Sequence, residues 1–506
     1  MEITNQTPFP AIAWDSVDTN ERWYQTSLIR VKYQLVYQNQ QWQLRLASDQ
    51  GELFGADVFY DEDIYQPVQY ESDFVTFKQH SDIIVNANTY SPTQRAEKNW
   101  TCSVSVSSPD NERLNHSELR IKGAHEWQYT SPVGWSKTVL KKTQKVSLRY
   151  SNAFGGKVAN PDAEGDTDLF LAYSDYNAVG TGITHKDMPK ENFPAHQLEF
   201  SHARLKQQKY AAGFGFTHRS WKPRIDYAGT YDQDWLDNTH PNPPQDFDVK
   251  HHQAANPELL MQGYIQANSM IRLNNLHPEQ AVIQFHLPEL HCFTDIHHKQ
   301  QFTRQSMVID TVLIDIESED ETAWCVYLSY RHYAPLLTQI TSINFSYLPT
   351  ALLATQGNNP PLKKRRHLMA DNFGVRNEGK YMLVFCAPDV CKMPNGTPVP
   401  FPITQKLSSA QKIAKKTKFN GHWVVMLKSN TPSVLGDQAG VAKGLKSGTV
   451  AKKGEPIDHT KSFNVEGSPV IRVGDKVNMN NKNTKGKVVF APAPSASAIV
   501  DTGASD

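Results

Sequence analysis

Asp232, Asp234, Asp237, His240, Asp246, Asp248, His251 and His252 crowd one short stretch of the chain. Carboxylates that dense could hold Ca²⁺, and with the imidazoles a transition metal that activates water for hydrolysis. Pro241, Pro243 and Pro244 splay the segment, and the glycine pattern of a Ca²⁺ loop is missing, so it also reads as a polar loop of Asp caps and turns. A second patch holds His286, His291, Cys292, His297 and His298. Histidines alternating along a strand could ligate zinc, although His286 and His298 meet only if the fold brings them together. The default for them is a half-exposed surface. No Gly-x-Ser-x-Gly nucleophile site is present, and Cys102, Cys292 and Cys325 lie in or near strand-like runs, as core thiols do. Gly155-Gly156 and Gly213/Gly215 lack the full spacing of a phosphate loop, and read as positions of positive φ or close backbone approach. Trp221, Trp235 and Phe247 read as packing residues, and Arg224 and Asp232 as an ion pair.

The elements that must carry these residues are mainly strands. Ile29, Val31, Tyr33, Leu35 and Tyr37 alternate with Arg30, Lys32 and Gln34, which predicts a strand with one buried face. After the polar turn Gln38-Asn39-Gln40, alternation resumes at Trp42, Leu44 and Leu46. It recurs at Cys102–Val106, Leu119–Ile121 and Val146–Tyr150, and Val282–Phe285, Val312–Ile316 and Cys325–Tyr330 also read as strands. The fold class expected is mainly β: a large antiparallel β-sandwich-like N-terminal domain and a small cone-like β-hairpin C-terminal domain. Helices are expected at His196–Tyr210, at Ser408–Phe419 and, as a tail, at Thr338–Gln356.

Composition bounds the function. A chain of 506 residues is too long for one ordinary core and points to two or three domains. Lys plus Arg and Asp plus Glu both number 52, which argues against a dedicated nucleic-acid binder. The balance is uneven: residues 379–506 carry 18 Lys/Arg against 8 Asp/Glu, a basic end suited to docking on an acidic surface, or simply solvated. Five scattered cysteines imply no disulfide framework and a reducing compartment. Residues Met1–Asn5 show no basic segment leading into an apolar run, so no secretory leader is expected. No apolar stretch approaches the roughly 18 residues of a membrane span, so no stable membrane insertion is expected. Asn358-Asn359-Pro360-Pro361 and the charge run Lys363-Lys364-Arg365-Arg366 mark a linker, placed at 346–378 between domains at 1–345 and 379–495. That run matches a nuclear signal only as text. The Ala/Pro/Ser-rich end, taken as residues 496–506, reads as a disordered tail.

Two sets of motifs carry a resemblance. In the C-terminal region, Pro388-Asp389-Val390-Cys391-Lys392 is followed by Pro398-Val399-Pro400-Phe401-Pro402. Gly436-Asp437, Gly440, Ser447-Gly448-Thr449, Glu466-Gly467-Ser468-Pro469, Arg472, Asn480-Asn481 and Asn483 come after them in order. This region resembles the PAAR-like domain that sharpens the spike of the bacterial type VI secretion system. In the N-terminal region the motifs are Tyr70-Glu71-Ser72-Asp73 with Lys78 and Asp82, Arg149-Tyr150 with Gly155-Gly156, Trp221-Lys222-Pro223-Arg224, and Asp310 with Arg331. These resemble an uncharacterised family of adaptor-like domains encoded beside spike genes, for which no catalytic residues are established.

The resemblance implies a cap on the trimeric valine-glycine-repeat spike protein, with Pro388, Val390, Pro398, Pro400 and Phe401 giving shape and Gly467, Pro469 and Arg472 shaping or contacting the base. It implies no enzyme, a separate effector protein as cargo, and residence in the cytoplasm before any export without a signal peptide. A metal-assisted hydrolase and a chaperone that stays in the cytoplasm are the alternatives. No cofactor is expected. PAAR tips commonly hold zinc through three His and one Cys, a pattern this region does not reproduce, but Cys386, Cys391, His422 and His459 make a Cys₂His₂ set chemically possible.

Overall fold

In the computed structural model, which describes residues 2–163, 168–202, 209–298, 301–337, 340–349 and 374–495, the chain is mainly β, as its alternation requires. Among these residues Gln233–Asn238 is the one α-helix. The central sheet runs in the order Lys145–Ser147, Asp82–Tyr90, Val308–Ile316, Cys325–Pro335, Trp23–Gln38, Ala11–Val17, with Gln41–Leu46 also paired to Trp23–Gln38. Asn39 and Gln40 turn that last hairpin with φ of 52° and 61°, the left-handed pair of a two-residue hairpin loop. A five-stranded sheet follows the order Leu198–Phe200, Arg113–Lys122, Asn99–Ser107, Met270–Asn274, Val282–His286. A third sheet joins Glu2–Asn5, Ile340–Pro349, Leu290–His298 and Gln301–Ser306. Most pairings are antiparallel, but Asp82–Tyr90 runs parallel to Val308–Ile316, and Glu2–Asn5 to Ile340–Pro349.

Within the described residues, which leave out 338–339 and 350–356 of the expected tail, the three expected helices are not helices. Leu198 and Phe200 are buried on either side of the half-buried Glu199, a period of two that sends this segment into the sheet beside Arg113–Lys122. Residues 203–208 of that expectation lie outside the described residues. Ile340–Pro349 is likewise a strand, held from both sides by Leu290–His298 and Glu2–Asn5. Ser408–Phe419 holds a single 3₁₀ turn, Leu407–Ser409, and a two-residue strand, Lys418–Phe419. Most of the expected linker, its basic run and the expected tail at 496–506 lie outside the described residues.

The C-terminal region is built of hairpins around one sheet, ordered Thr404–Lys406, Tyr381–Phe385, Thr484–Phe490, Lys476–Met479, Glu455–Pro456. The proline run pairs as Asp389–Lys392 with Pro398–Phe401, a two-stranded ribbon in which the prolines cost the fewest ladder donors. Buried side chains of both regions, from Ile12 and Leu28 to Val399 and Phe490, belong to one continuous hydrophobic cluster.

Candidate functional site at the junction of the two regions

The strand Trp23–Gln38 departs from a simple one-faced pattern. Arg30, on its polar face, is only 2% exposed. Register explains why: Arg30 lies opposite Ser329, Ser329 opposite Thr311, and Thr311 opposite Asp82, a polar row across four adjacent strands. Segments of the N-terminal region cover this row and neutralise it. Arg30 pairs with Asp73 at 2.7 Å and lies 4.1 Å from the Phe54 ring centre. Lys78 reaches Asp82 at 2.7 Å and Thr311 at 3.0 Å. Arg331 pairs with Asp310 and donates to the Val75 carbonyl.

Glu71 is the hub of the next layer. Arg224 Nη2 lies 2.6 Å and Arg219 Nη2 3.1 Å from its carboxylate, and Arg219 also forks onto Asp57. Burial alone would raise the Glu71 carboxyl, but Arg224, Arg219 and Lys78 bring it down to about 2. Arg224 therefore pairs with Glu71 and not with Asp232, which caps the helix Gln233–Asn238 through the Trp235 N–H. Gly213 lets the loop come close: a Cβ there would sit 2.5 Å from the Tyr150 ring. Gly155 and Gly156 have the expected positive φ, 152° and 101°.

The Asp232–His252 residues are spent on local structure. Asp246 accepts from Thr230, and Asp248 caps the turn Val249–His252. His251 donates through Nδ1 to the Arg224 carbonyl, and His252 to that of Phe77. They form no metal-holding group among the described residues, and neither does the His286–His298 patch. Burial, with Arg219 and Arg224 nearby, holds His218 down to about 3 and His251 well below its ordinary value. Trp221 and Trp235 are buried, and Phe247 packs on His251 and His252.

This charged layer sits under the C-terminal region. Arg219 lies 5.8 Å from the Phe401 ring centre. Thr404 donates to the Gly55 carbonyl at 2.8 Å, His240 Nε2 to that of Asn483 at 2.7 Å, and the Val17 N–H to that of Cys386 at 3.1 Å. Lys487 pairs with Asp15 at 2.6 Å. Val390 packs with Ala228, Tyr231 and Trp235. Between the regions lies a cavity of about 330 Å³, walled by Phe74, Phe77 and His251 on one side and by Phe385, Pro388 and Pro400 on the other.

The residues expected to face the spike therefore divide. Val390, Pro400 and Phe401 are buried, Pro388 lines the cavity, and the chain's own N-terminal region covers this side. They cannot form an external docking face here. Pro398 and Pro469 are half-buried, while Gly467 and Arg472 are exposed and stay open to a partner. The Cys₂His₂ set is not assembled. Cys386 is buried at the junction, His422 is exposed, and Cys391 lies with Asp389 and Asp437, the one cluster of three potential metal ligands among the described residues. Burial first and Asp437 second raise the Asp389 carboxyl to about 8. Sequence reading picked out the motifs of Asp389 and Asp437 but assigned the two carboxylates no role. Their signal was their place inside Pro-Asp-Val-Cys-Lys and Gly-Asp.

The family model described as "uncharacterized protein conserved in bacteria (DUF2169)" matches residues 20–327, more than half of the chain. The chain belongs to this family. The match covers the central sheet except Ala11–Val17 and all but the first three residues of Cys325–Pro335, and it holds Arg30, Glu71, Asp73, Lys78, Arg219 and Arg224 but not Asp15 or Arg331. A second model, the toxin PAAR-like domain, matches residues 382–486 and so spans most of the C-terminal sheet and hairpins. No curated protein and no solved structure matches. No helix among the described residues is long and apolar enough to cross a membrane.

Proposed function

We propose that this DUF2169 protein is a spike-tip component of a type VI secretion system, capping the trimeric spike with its PAAR-like region and loading a separate effector through its N-terminal region. The observation that carries this reading is the PAAR-like match at residues 382–486, joined to the family domain through a shared core. A trimeric β-structure that ends in open strand edges needs a lid, and a small body of hairpins with free backbone groups supplies one. The side left for that contact holds Gly467, Arg472 and the exposed apolar side chains Ile457 and Phe463. The other side is taken by the N-terminal region, so the two regions would travel together.

The protein acts in this reading by binding and not by catalysis. The acidic and histidine residues that a hydrolase would use are committed to caps and carbonyls. The effector route is tested by export. Deleting the chain is expected to abolish sheath-dependent release of a toxin encoded beside it, and the intact chain should appear in the medium with that toxin. A chain retained wholly in the cytoplasm while the toxin is still exported would favour the chaperone reading.

A further inference from the structure

The cavity between the two regions is assembled from stretches far apart in sequence: residues 17–24, 74–77, 243–252, Tyr333 and 385–402. No one stretch makes it, so it exists only while the C-terminal region is docked. Its volume of about 330 Å³ is that of a small-molecule site, and such sites favour junctions between domains.

Much of its wall is made of rings. Tyr24 stacks on Tyr333, with 4.6 Å between ring centres and 5° between planes, and Phe77 lies 5.0 Å from the same Tyr333 ring. Phe247 packs on His252. Pro388, Pro400 and Pro402 face them from the C-terminal region, and a proline offers apolar surface with no N–H donor. Flat, apolar walls of this kind suit a planar ring, which stacks or meets them edge-on.

The polar part of the wall is specific. Among the described residues that line the cavity, His251 alone keeps a buried side-chain polar atom without a partner, its Nε2, and the residue is only 1% exposed. Nδ1 carries the proton, because it donates to the Arg224 carbonyl, so Nε2 holds a lone pair. His252 is fixed the same way on the Phe77 carbonyl. Burial, with Arg224 and Arg219 nearby, keeps both imidazoles neutral. The charged side chains of the wall are already paired, Arg22 with Asp18 and Arg219 with Asp57 and Glu71, which leaves no free charge to draw an ion. A buried acceptor left unpaired is costly, and a donor on an occupant relieves that cost.

We propose that the cavity binds a neutral, planar aromatic molecule with one hydroxyl or N–H donor, its ring held between the aromatic residues and the prolines and its donor on His251 Nε2. Both regions wall the site, so an occupant ties the C-terminal region to the N-terminal one.

The test titrates the full chain with 2-naphthol and, separately, with 2-methoxynaphthalene, which keeps the rings and lacks the donor. Calorimetry is expected to find about one 2-naphthol per chain with a Kd on the order of 100 μM, in line with a ligand of this size. The methyl ether should bind roughly tenfold more weakly. His251→Phe keeps a ring and removes the acceptor, and should bring the two probes to within about twofold of each other. Val249→Trp, which fills the cavity from its wall, should abolish binding of both. Wild-type protein that binds neither probe, or binds the two equally, would overturn the proposal without any variant. So would binding of 2-naphthol that survives Val249→Trp in a folded chain.

Discussion

Glu71→Ala is expected to lower the unfolding free energy by about 3–5 kcal/mol, the range seen when one partner of a buried ion pair is removed. The substitution leaves Arg224 fully buried with only the His251 and Thr217 carbonyls as partners, and leaves Arg219 with Asp57 alone. The loss is larger than the deleted contact because the cost falls on guanidinium charges left without a counterion in a dry layer. Urea unfolding of the full chain measures it. Glu319→Ala, which removes a pair exposed by 86% on the acidic side, should cost far less, because solvent screens that pair, and serves as the comparison. Equal effects at the two sites would show that the buried charge layer does not hold the fold. Because Arg219 also faces Phe401, the Glu71 variant should also release the C-terminal region to protease earlier than wild type.

Acid is the second strong perturbation. His218 is buried and accepts the Ser220 N–H through Nδ1, so it is neutral in the folded chain. His251 keeps a buried Nε2 with no partner beside Arg224, where a proton is unwelcome. Both folded-state values lie below the unfolded 6.5, His218 at about 3. Above pH 6.5 neither state protonates these histidines and they leave stability unchanged, while the raised Asp389 carboxyl works with the opposite sign and gains stability as pH falls. As pH falls below 6.5 the unfolded chain binds protons that the folded chain refuses, so stability drops by about 1.4 kcal/mol per pH unit for each histidine. Below 4.5 Glu71, with a folded value of about 2, adds its own loss with the same sign. Unfolding midpoints should therefore fall from pH 6 to pH 5, two histidines outweighing one aspartate, and His251→Asn should flatten the profile by about one proton's worth. A flat profile from pH 6 to pH 5 would contradict the neutral, buried state of these histidines.

The strands were legible because their signal is local. Val31, Tyr33 and Leu35 alternate with Lys32 and Gln34 within a few residues, and the structure buries the first set and half-exposes the second. The expected helices at His196–Tyr210 and Thr338–Gln356 met the opposite case in their described parts: Leu198–Phe200 and Ile340–Pro349 pair with strands distant in sequence. The charge layer was half legible. Glu71, Asp73, Lys78 and Arg224 stood out as a pattern, but Arg219 and Glu71 are 148 residues apart, and only register brings them together. The buried side of the proline run was hidden in the same way. Val390 and Phe401 are apolar on any reading, and nothing near them in sequence says that Trp235 and Arg219 cover them.

The central claim is that the PAAR-like region caps a three-chain spike while the N-terminal region stays attached to it. Mixing the full chain with purified trimeric spike protein and measuring the mass of the complex tests this most directly. The expected result is a complex of one copy of this chain per spike trimer, weakened by Phe463→Asp combined with Arg472→Glu. Failure to form a complex, or a complex that survives the loss of the C-terminal region, would contradict it.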